Sequence, residues 1–145
     1  MQIIQLKSCK PEIYELISLY LWEEWKESYI NSQYIKDYRD LKKYYETHKG
    51  LTYVLFLDNR FVGLYTLNWR KYFYLYLNDV YVIPELRKHK YGKVLVWHAK
   101  RIAATMSCCL YLNAYESYIN FYKKYGFKVI DKTNNKYLLF CKLFR

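Results

Sequence analysis

Asp79-Val80-Tyr81-Val82-Ile83-Pro84-Glu85-Leu86-Arg87-Lys88-His89-Lys90-Tyr91-Gly92-Lys93 leads from an apolar run, through a basic loop, into the start of an amphipathic pattern. The run before the loop, Tyr72 to Ile83, reads as a long strand. After it, from Lys93 to about Met106, Leu95, Ala99, Ile102, Ala103 and Met106 share one helical face, with Lys93, Lys100 and Arg101 opposite. Cys108 to Ala114 is then an apolar run short enough for a buried strand. Strand, helix, strand in this order implies a right-handed parallel crossover, so two strands of the sheet run parallel.

Working outward, residues 2 to 7 alternate weakly as a short strand. After Pro11, the residues Ile13, Leu16, Ile17, Tyr20, Leu21 and Trp25 recur at helical spacing, and a second helix spans about 36 to 48. Gly50 punctuates the chain. Leu51 to Leu57, the turn Asp58-Asn59 and Arg60 to Trp69 read as a hairpin, which Arg70-Lys71 turns into the long strand. Downstream, Glu116 to Tyr125 reads as a short helix stopped by Gly126, and strands at about 127 to 131 and 136 to 144 flank Asn134-Asn135. The order β α α β β β α β α β β predicts an α/β (mixed α+β) fold: one domain over residues 1–145, with a central twisted mixed sheet of about seven strands and helices on both faces.

Composition removes several chemistries. Glycine occurs only at 50, 63, 92 and 126, so no dinucleotide-binding G-x-G-x-x-G turn, phosphate-binding P-loop or G-x-S-x-G elbow can form. Cys9, Cys108, Cys109 and Cys141 contain no C-x-x-C pair, and His48, His89 and His98 lack metal-ligand spacing, so no metal site is expected. No run of 18 apolar residues and no leader-like N-terminus is present, which points away from the membrane and toward the cytoplasm. The heavy use of Lys, Asn, Ile, Tyr and Phe suggests an AT-rich coding source; for a viral chain the compartment would be the host cytoplasm.

The formal charge of +11 makes an anionic partner the first question. Arg87, Lys88, Lys90 and Lys93 gather at the mouth of a helix, whose first N–H groups lack internal partners and lie at the positive end of its dipole. A loop of this kind cradles phosphate oxygens, with Gly92 removing a side chain at the closest approach. The same residues would also suit a solvated basic loop before a structural helix.

This segment, together with Asn120-Phe121-Tyr122-Lys123-Lys124-Tyr125-Gly126-Phe127, resembles the two signature regions of the GNAT superfamily of N-acetyltransferases. In that family an apolar strand and Pro-Glu lead into Arg-x-x-Gly-x-Gly/Ala at a helix start. Here Lys90 and Gly92 stand at the two glycine positions. Ser117-Tyr118-Ile119-Asn120-Phe121-Tyr122 is most similar to the diamine acetyltransferase branch. The likeness covers about residues 50 to 144, and the first 49 by element order.

The resemblance implies acetyl-coenzyme A as cofactor. Its pyrophosphate would rest on backbone N–H groups within Arg87, Lys88, His89, Lys90, Tyr91, Gly92 and Lys93. Its pantetheine arm would pair like an added strand along Tyr81, Val82 and Ile83, with Asn113 within reach of the pantetheine amides or serving as a turn residue. Acetyl transfer would be direct, within a ternary complex. Tyr122 would protonate the departing thiolate, a phenol of pKa near 10 being protonated at pH 7; on periodicity alone it belongs to a core stripe with Tyr118, Phe121 and Tyr125. Asp79 would take the amine proton through water, or be the polar residue of a bulge. Where diamine acetyltransferases commonly carry Glu-Asp, this chain has Asn78-Asp79.

The acceptor pocket of the family is built from the first two helices and the last hairpin. Here those offer Trp22, Glu23, Trp25, Glu27, Tyr29, Tyr34 and Asp37, with Asn78 beside them, and aromatics next to acids suit a cationic amine on a small molecule or a protein. The same residues also fit core and solvated-face roles. Leu138, Phe140 or Phe144 on the final strand could pair two copies as a homodimer. Two other classes stand beside the enzyme. One is a degenerate acetyltransferase fold kept for coenzyme or protein binding, motivated by Lys90 and Asn78. The other is a nucleic-acid-binding module, disfavoured because the lysines are spread over every element and no recognition motif occurs.

Overall fold

The computed structural model describes residues 1–32 and 34–143. The elements follow the expected order: β1 (Gln2–Gln5), α1 (Glu12–Ile30), α2 (Tyr38–Thr47), β2 (Leu51–Leu57), β3 (Arg60–Arg70), β4 (Tyr74–Val82), α3 (Tyr91–Ala104), β5 (Cys109–Tyr115), α4 (Ile119–Lys123), β6 (Lys128–Thr133) and β7 (Lys136–Lys142). Boundaries shift where backbone chemistry intervenes. The strand expected from Tyr72 begins at Tyr74, because Tyr72 (φ 66°) and Phe73 (φ 63°) hold a left-handed turn. The helix expected from Lys93 starts at Tyr91. The helix expected over 116 to 125 is a 3₁₀ turn, Glu116–Tyr118, followed by the five residues of α4. Phe144 lies outside the described residues.

The strands lie in the order β1-β2-β3-β4-β5-β7-β6, and every neighbouring pair is antiparallel except β4 with β5. The hairpin between β2 and β3 closes through Asp58 (φ 49°) and Asn59 (φ 64°), both positive as a tight two-residue turn requires. Strands β4 and β5 share one register pair, Tyr76 with Tyr111, and then separate. Just beyond that pair β4 is bulged: Leu64 faces Tyr81 and Thr66 faces Asn78, so Asp79 and Val80 together oppose Tyr65. Asp79 takes φ 57° there, one of the few side chains that tolerates it.

Both sheet faces are covered. Alternation along β2 and β3 sends Val54, Phe56 and Leu64 into a core with Ile17 and Leu21 of α1 and Leu41 and Tyr45 of α2. Leu55, Val62 and Tyr65 point the other way, onto Leu95, Val96, Ala99 and Ala103 of α3. Leu95 is fully buried, so Leu95→Ala would cost about 2–5 kcal/mol. This packing clamps α1 and α3 over opposite faces of the sheet at the point where β4 and β5 part.

Candidate active site

The divergence of β4 from β5 opens a cleft of about 920 Å³. Its walls are the end of β4, the loop and first turn of α3, the end of β5, α4 and the second half of α1. Lys88, Lys90, Tyr91, Gly92 and Lys93 border one end, and Trp25, Tyr29, Arg70, Asn78 and Asp79 also line it. The parted strands leave backbone polar groups without their usual partners, which suits a ligand able to bond like a strand.

Lys88 (φ 67°) and Lys90 (φ 68°) are both left-handed, and Lys90 caps α3 with no side-chain bond. Among the described residues, no protein group accepts from the N–H groups of Lys88 through Lys93; the first to be satisfied is Val94, on the Lys90 carbonyl at 3.3 Å. A row of free amides at a helix N-terminus fits the phosphates of coenzyme A. The missing side chain of Gly92 has another neighbour than expected. A Cβ there would meet the Phe121 ring at 3.3 Å, so this glycine also lets α4 close against α3.

Of the residues expected at the cofactor, Arg87 lines the cleft, whereas His89 and Ile83 do not. The Arg87 guanidinium donates from Nε to the Val82 carbonyl at 2.9 Å and pairs through Nη2 with Glu24 of α1 at 2.9 Å. It therefore borders the cleft while its charge is matched. His89 is exposed and outside the lining. Ile83 is fully buried, and its N–H donates to the Val62 carbonyl at 2.9 Å, on the β3 side. By strand alternation Val82 directs its N–H the opposite way, into the gap left by β5. The Tyr81 side chain turns into the core under α1, edge-on to Trp25 at 5.7 Å, and burial followed by Glu24 pushes its phenol up to about 12.

Asp79 and Tyr122 both line the cleft. The Tyr45 hydroxyl donates to Asp79 Oδ2 at 2.8 Å. Desolvation raises the Asp79 proton affinity, opposed by the Tyr45 bond and by the positive charge of Arg70. Tyr122 is clamped edge-on by Phe121 at 5.0 Å and Phe127 at 5.8 Å, and its hydroxyl has no protein hydrogen-bond partner among the described residues. Burial, then Tyr118, raises its affinity for its proton, so it stays a donor at any physiological pH. Asn113, on β5, is exposed along the lining.

Of the residues expected at the acceptor, Trp25, Tyr29 and Asn78 line the cleft, whereas Trp22 does not. Trp22 stacks on Tyr29 at 6.2 Å, behind it. Between the two rings α1 breaks at Trp25 (φ −124°, ψ 18°). Glu23 pairs with Lys26 at 3.8 Å, Glu27 and Tyr34 are exposed, and Asp37 caps α2 by accepting from Arg39 N–H at 2.8 Å. Tyr45, Glu24, Arg70 and Lys136 are the residues that sequence reasoning missed. Tyr45 carries only a core signal, on the same buried face of α2 as Leu41. Arg70 reads as a turn residue until the β3–β4 pairing sets it beside Asn78, whose Oδ1 accepts from Arg70 Nη2 at 2.9 Å.

The sequence matches the profile described as "Acetyltransferase (GNAT) family" over residues 18–127. The chain belongs to this family of acetyl-coenzyme A-dependent N-acetyltransferases. Solved structures share the fold across the whole chain. An aminoglycoside 6'-N-acetyltransferase complexed with coenzyme A superposes with a TM-score of 0.84 at 15% identity, covering 100% of this chain and 98% of the other. Aminoglycoside 6'-acetyltransferase type Ii gives 0.81 at 18%, covering 100% and 99%. The PaiA N-acetyltransferase from Thermoplasma acidophilum in complex with coenzyme A gives 0.71 at 22%, covering 98% and 99%. No curated protein sequence matches the chain. No helix among the described residues is long and apolar enough to cross a membrane.

Proposed function

We propose that the chain works as one cytoplasmic domain that acetylates a primary amine on a small molecule by direct attack, with both reactants bound in the cleft between β4 and β5. The observation that carries this reading is the meeting, in one cleft, of a row of free amides at the start of α3, the outward edge of Val82, the Asp79 carboxylate and the Tyr122 hydroxyl. Acetyl-coenzyme A, when bound, supplies an activated thioester. Lys88 to Lys93 hold its phosphates with backbone amides, the lysine charges adding attraction. The Val82 N–H faces the gap, where it can hydrogen-bond the pantetheine or the acetyl oxygen as charge develops there.

An alkyl amine of pKa near 10.4 is about one part in 10³ to 10⁴ neutral at pH 7, a deficit of roughly 4–5 kcal/mol. Asp79 offsets part of it. Desolvation makes its carboxylate a stronger base than a solvated one, and Tyr45 fixes the orientation of the group. Tyr122 donates a hydrogen bond to the sulfur as the thiolate leaves. Its raised proton affinity makes it a stabilising donor first and a proton source second, because a thiol of pKa about 8.5 is the stronger acid. The proton released by the acylated amine balances the reaction.

The left-handed conformation of Lys90 is already present in the folded chain. Its strain, roughly 1 kcal/mol, therefore weighs on folding and not on cofactor binding, which removes the main argument for a degenerate fold. Initial velocities of thiol release, with acetyl-coenzyme A and amine varied together, test the mechanism. Intersecting double-reciprocal lines are expected, and parallel lines would indicate an acetyl-enzyme and overturn direct transfer.

A further inference from the structure

We propose that the acceptor carries a carboxylate close to its amine, held by Arg70, and that polycationic amines are poor substrates. The proposal deepens the acetyltransferase reading above and rests on it. The charges along the cleft carry the argument. Its lining holds two acids, Glu24 and Asp79, and Glu24 is already paired with Arg87 at 2.9 Å. Asp79 is the one lining carboxylate left for an ammonium group. Glu23 and Glu27, which the sequence offered as further cation ligands, are exposed and outside the lining. An amine bearing several positive charges would have to place the others beside Arg70 and Lys136 with no carboxylate to receive them.

Arg70 is exposed and makes no direct ion pair, its charge reaching the Asp79 carboxylate only through space. Among the described residues no carboxylate lies within ion-pairing distance of it; its contacts are the neutral Asn78 amide at 2.9 Å and the face of the Tyr76 ring, 4.0 Å below the guanidinium. Those contacts fix the plane of the group while leaving donors free, the arrangement that binds a carboxylate through two parallel hydrogen bonds. The bulge at Asp79 interrupts the alternation of β4, so Asn78 and Asp79 line the same cleft as Arg70, and one small amino acid can meet both Arg70 and Asp79 there. Trp25 and Tyr29 across the cleft supply aromatic surface for its side chain.

The test compares amines that differ only by the carboxylate: phenylalanine with phenethylamine, and lysine with cadaverine, alongside spermidine and kanamycin. The carboxylated member of each pair should be preferred at least tenfold in kcat/KM, mainly through KM, with spermidine and kanamycin slower still. In Arg70→Gln that preference should fall to within threefold, and Arg70→Lys should restore part of it. Faster turnover of the decarboxylated or polycationic amines, or a preference that survives Arg70→Gln, would overturn the proposal. So would failure of every amine while acetyl-coenzyme A still raises the unfolding midpoint. No midpoint shift with acetyl-coenzyme A would instead overturn the acetyltransferase reading of the cleft, and the proposal with it.

Discussion

The Tyr45 hydroxyl donates to the Asp79 carboxylate at 2.8 Å, joining the buried face of α2 to the bulge of β4 across 34 residues of sequence. The bond occupies one carboxylate oxygen, Oδ2, and so fixes how the group meets the cleft. It also opposes the desolvation that raises the proton affinity of Asp79. The bulge and α2 thus act together to hold a carboxylate in a left-handed residue at the edge of the site.

Tyr45→Phe should shift the activity profile. Without the donor, only Arg70 opposes desolvation, the Asp79 proton affinity rises further, and the acidic limb of kcat/KM moves to higher pH. A pH-rate profile of both proteins measures it. A limb that stays in place or moves to lower pH would mean that Asp79 does not control that ionisation.

Asp79→Asn should lose activity and gain stability at neutral pH. A carboxyl whose proton affinity is higher folded than unfolded favours the folded state below its ordinary pKa of 3.8, and that advantage is lost as pH rises through the raised value. At pH 7 the ionised group is a net burden, which the neutral amide removes while its oxygen can still accept from Tyr45. The expected outcome is a fall in kcat/KM of about 10²–10⁴ with a higher unfolding midpoint at pH 7, a gain that vanishes below pH 4. A lower midpoint at pH 7 would refute the assignment of the raised affinity.

Tyr122→Phe keeps the ring contacts with Phe121 and Phe127 and removes only the hydroxyl. Turnover should fall by about 10- to 10³-fold, while the midpoint shift produced by acetyl-coenzyme A should persist. Equal loss of cofactor binding and turnover would assign the hydroxyl to binding instead.

Lys90→Gly should stabilise the free protein, because the cap of α3 sits at φ 68°. Relief of roughly 1 kcal/mol of left-handed strain, less about 0.5–1 kcal/mol for the added freedom of glycine in the unfolded chain, leaves up to about 0.5 kcal/mol, or up to roughly 2 °C in the midpoint. A fall in the midpoint would show that the lysine side chain supports the loop.

The loop of free amides that opens α3 was legible because it is local: a basic loop, a glycine and a helical period within fifteen residues. The element order and the mixed sheet follow from the same kind of pattern. The ion pair of Arg87 with Glu24 was not legible, because Glu24 lies on α1 and no periodicity links the two. Nothing in the spacing of α1 marks the stacking of Trp22 on Tyr29, because the backbone breaks between them at Trp25. Ile83 continues the apolar strand in sequence, but its N–H is taken by Val62. Tyr45, which touches Asp79 from the core, and Arg70, which lines the cleft, are placed there by tertiary contacts between elements that look ordinary one at a time.

Titration of acetyl-coenzyme A against the unfolding midpoint, for the natural chain and for the combined Lys88→Glu, Lys90→Glu, Lys93→Glu variant, tests the central claim most directly. The natural chain should show a saturable shift of several degrees, equivalent to about 2.7 kcal/mol at 100 times the dissociation constant, and no such shift with a short single-stranded oligonucleotide. The charge-reversed variant should unfold near the same temperature without ligand and lose most of the shift. A natural chain indifferent to acetyl-coenzyme A at millimolar concentration, or a reversed variant that binds it equally well, would contradict the placement of the cofactor in this cleft.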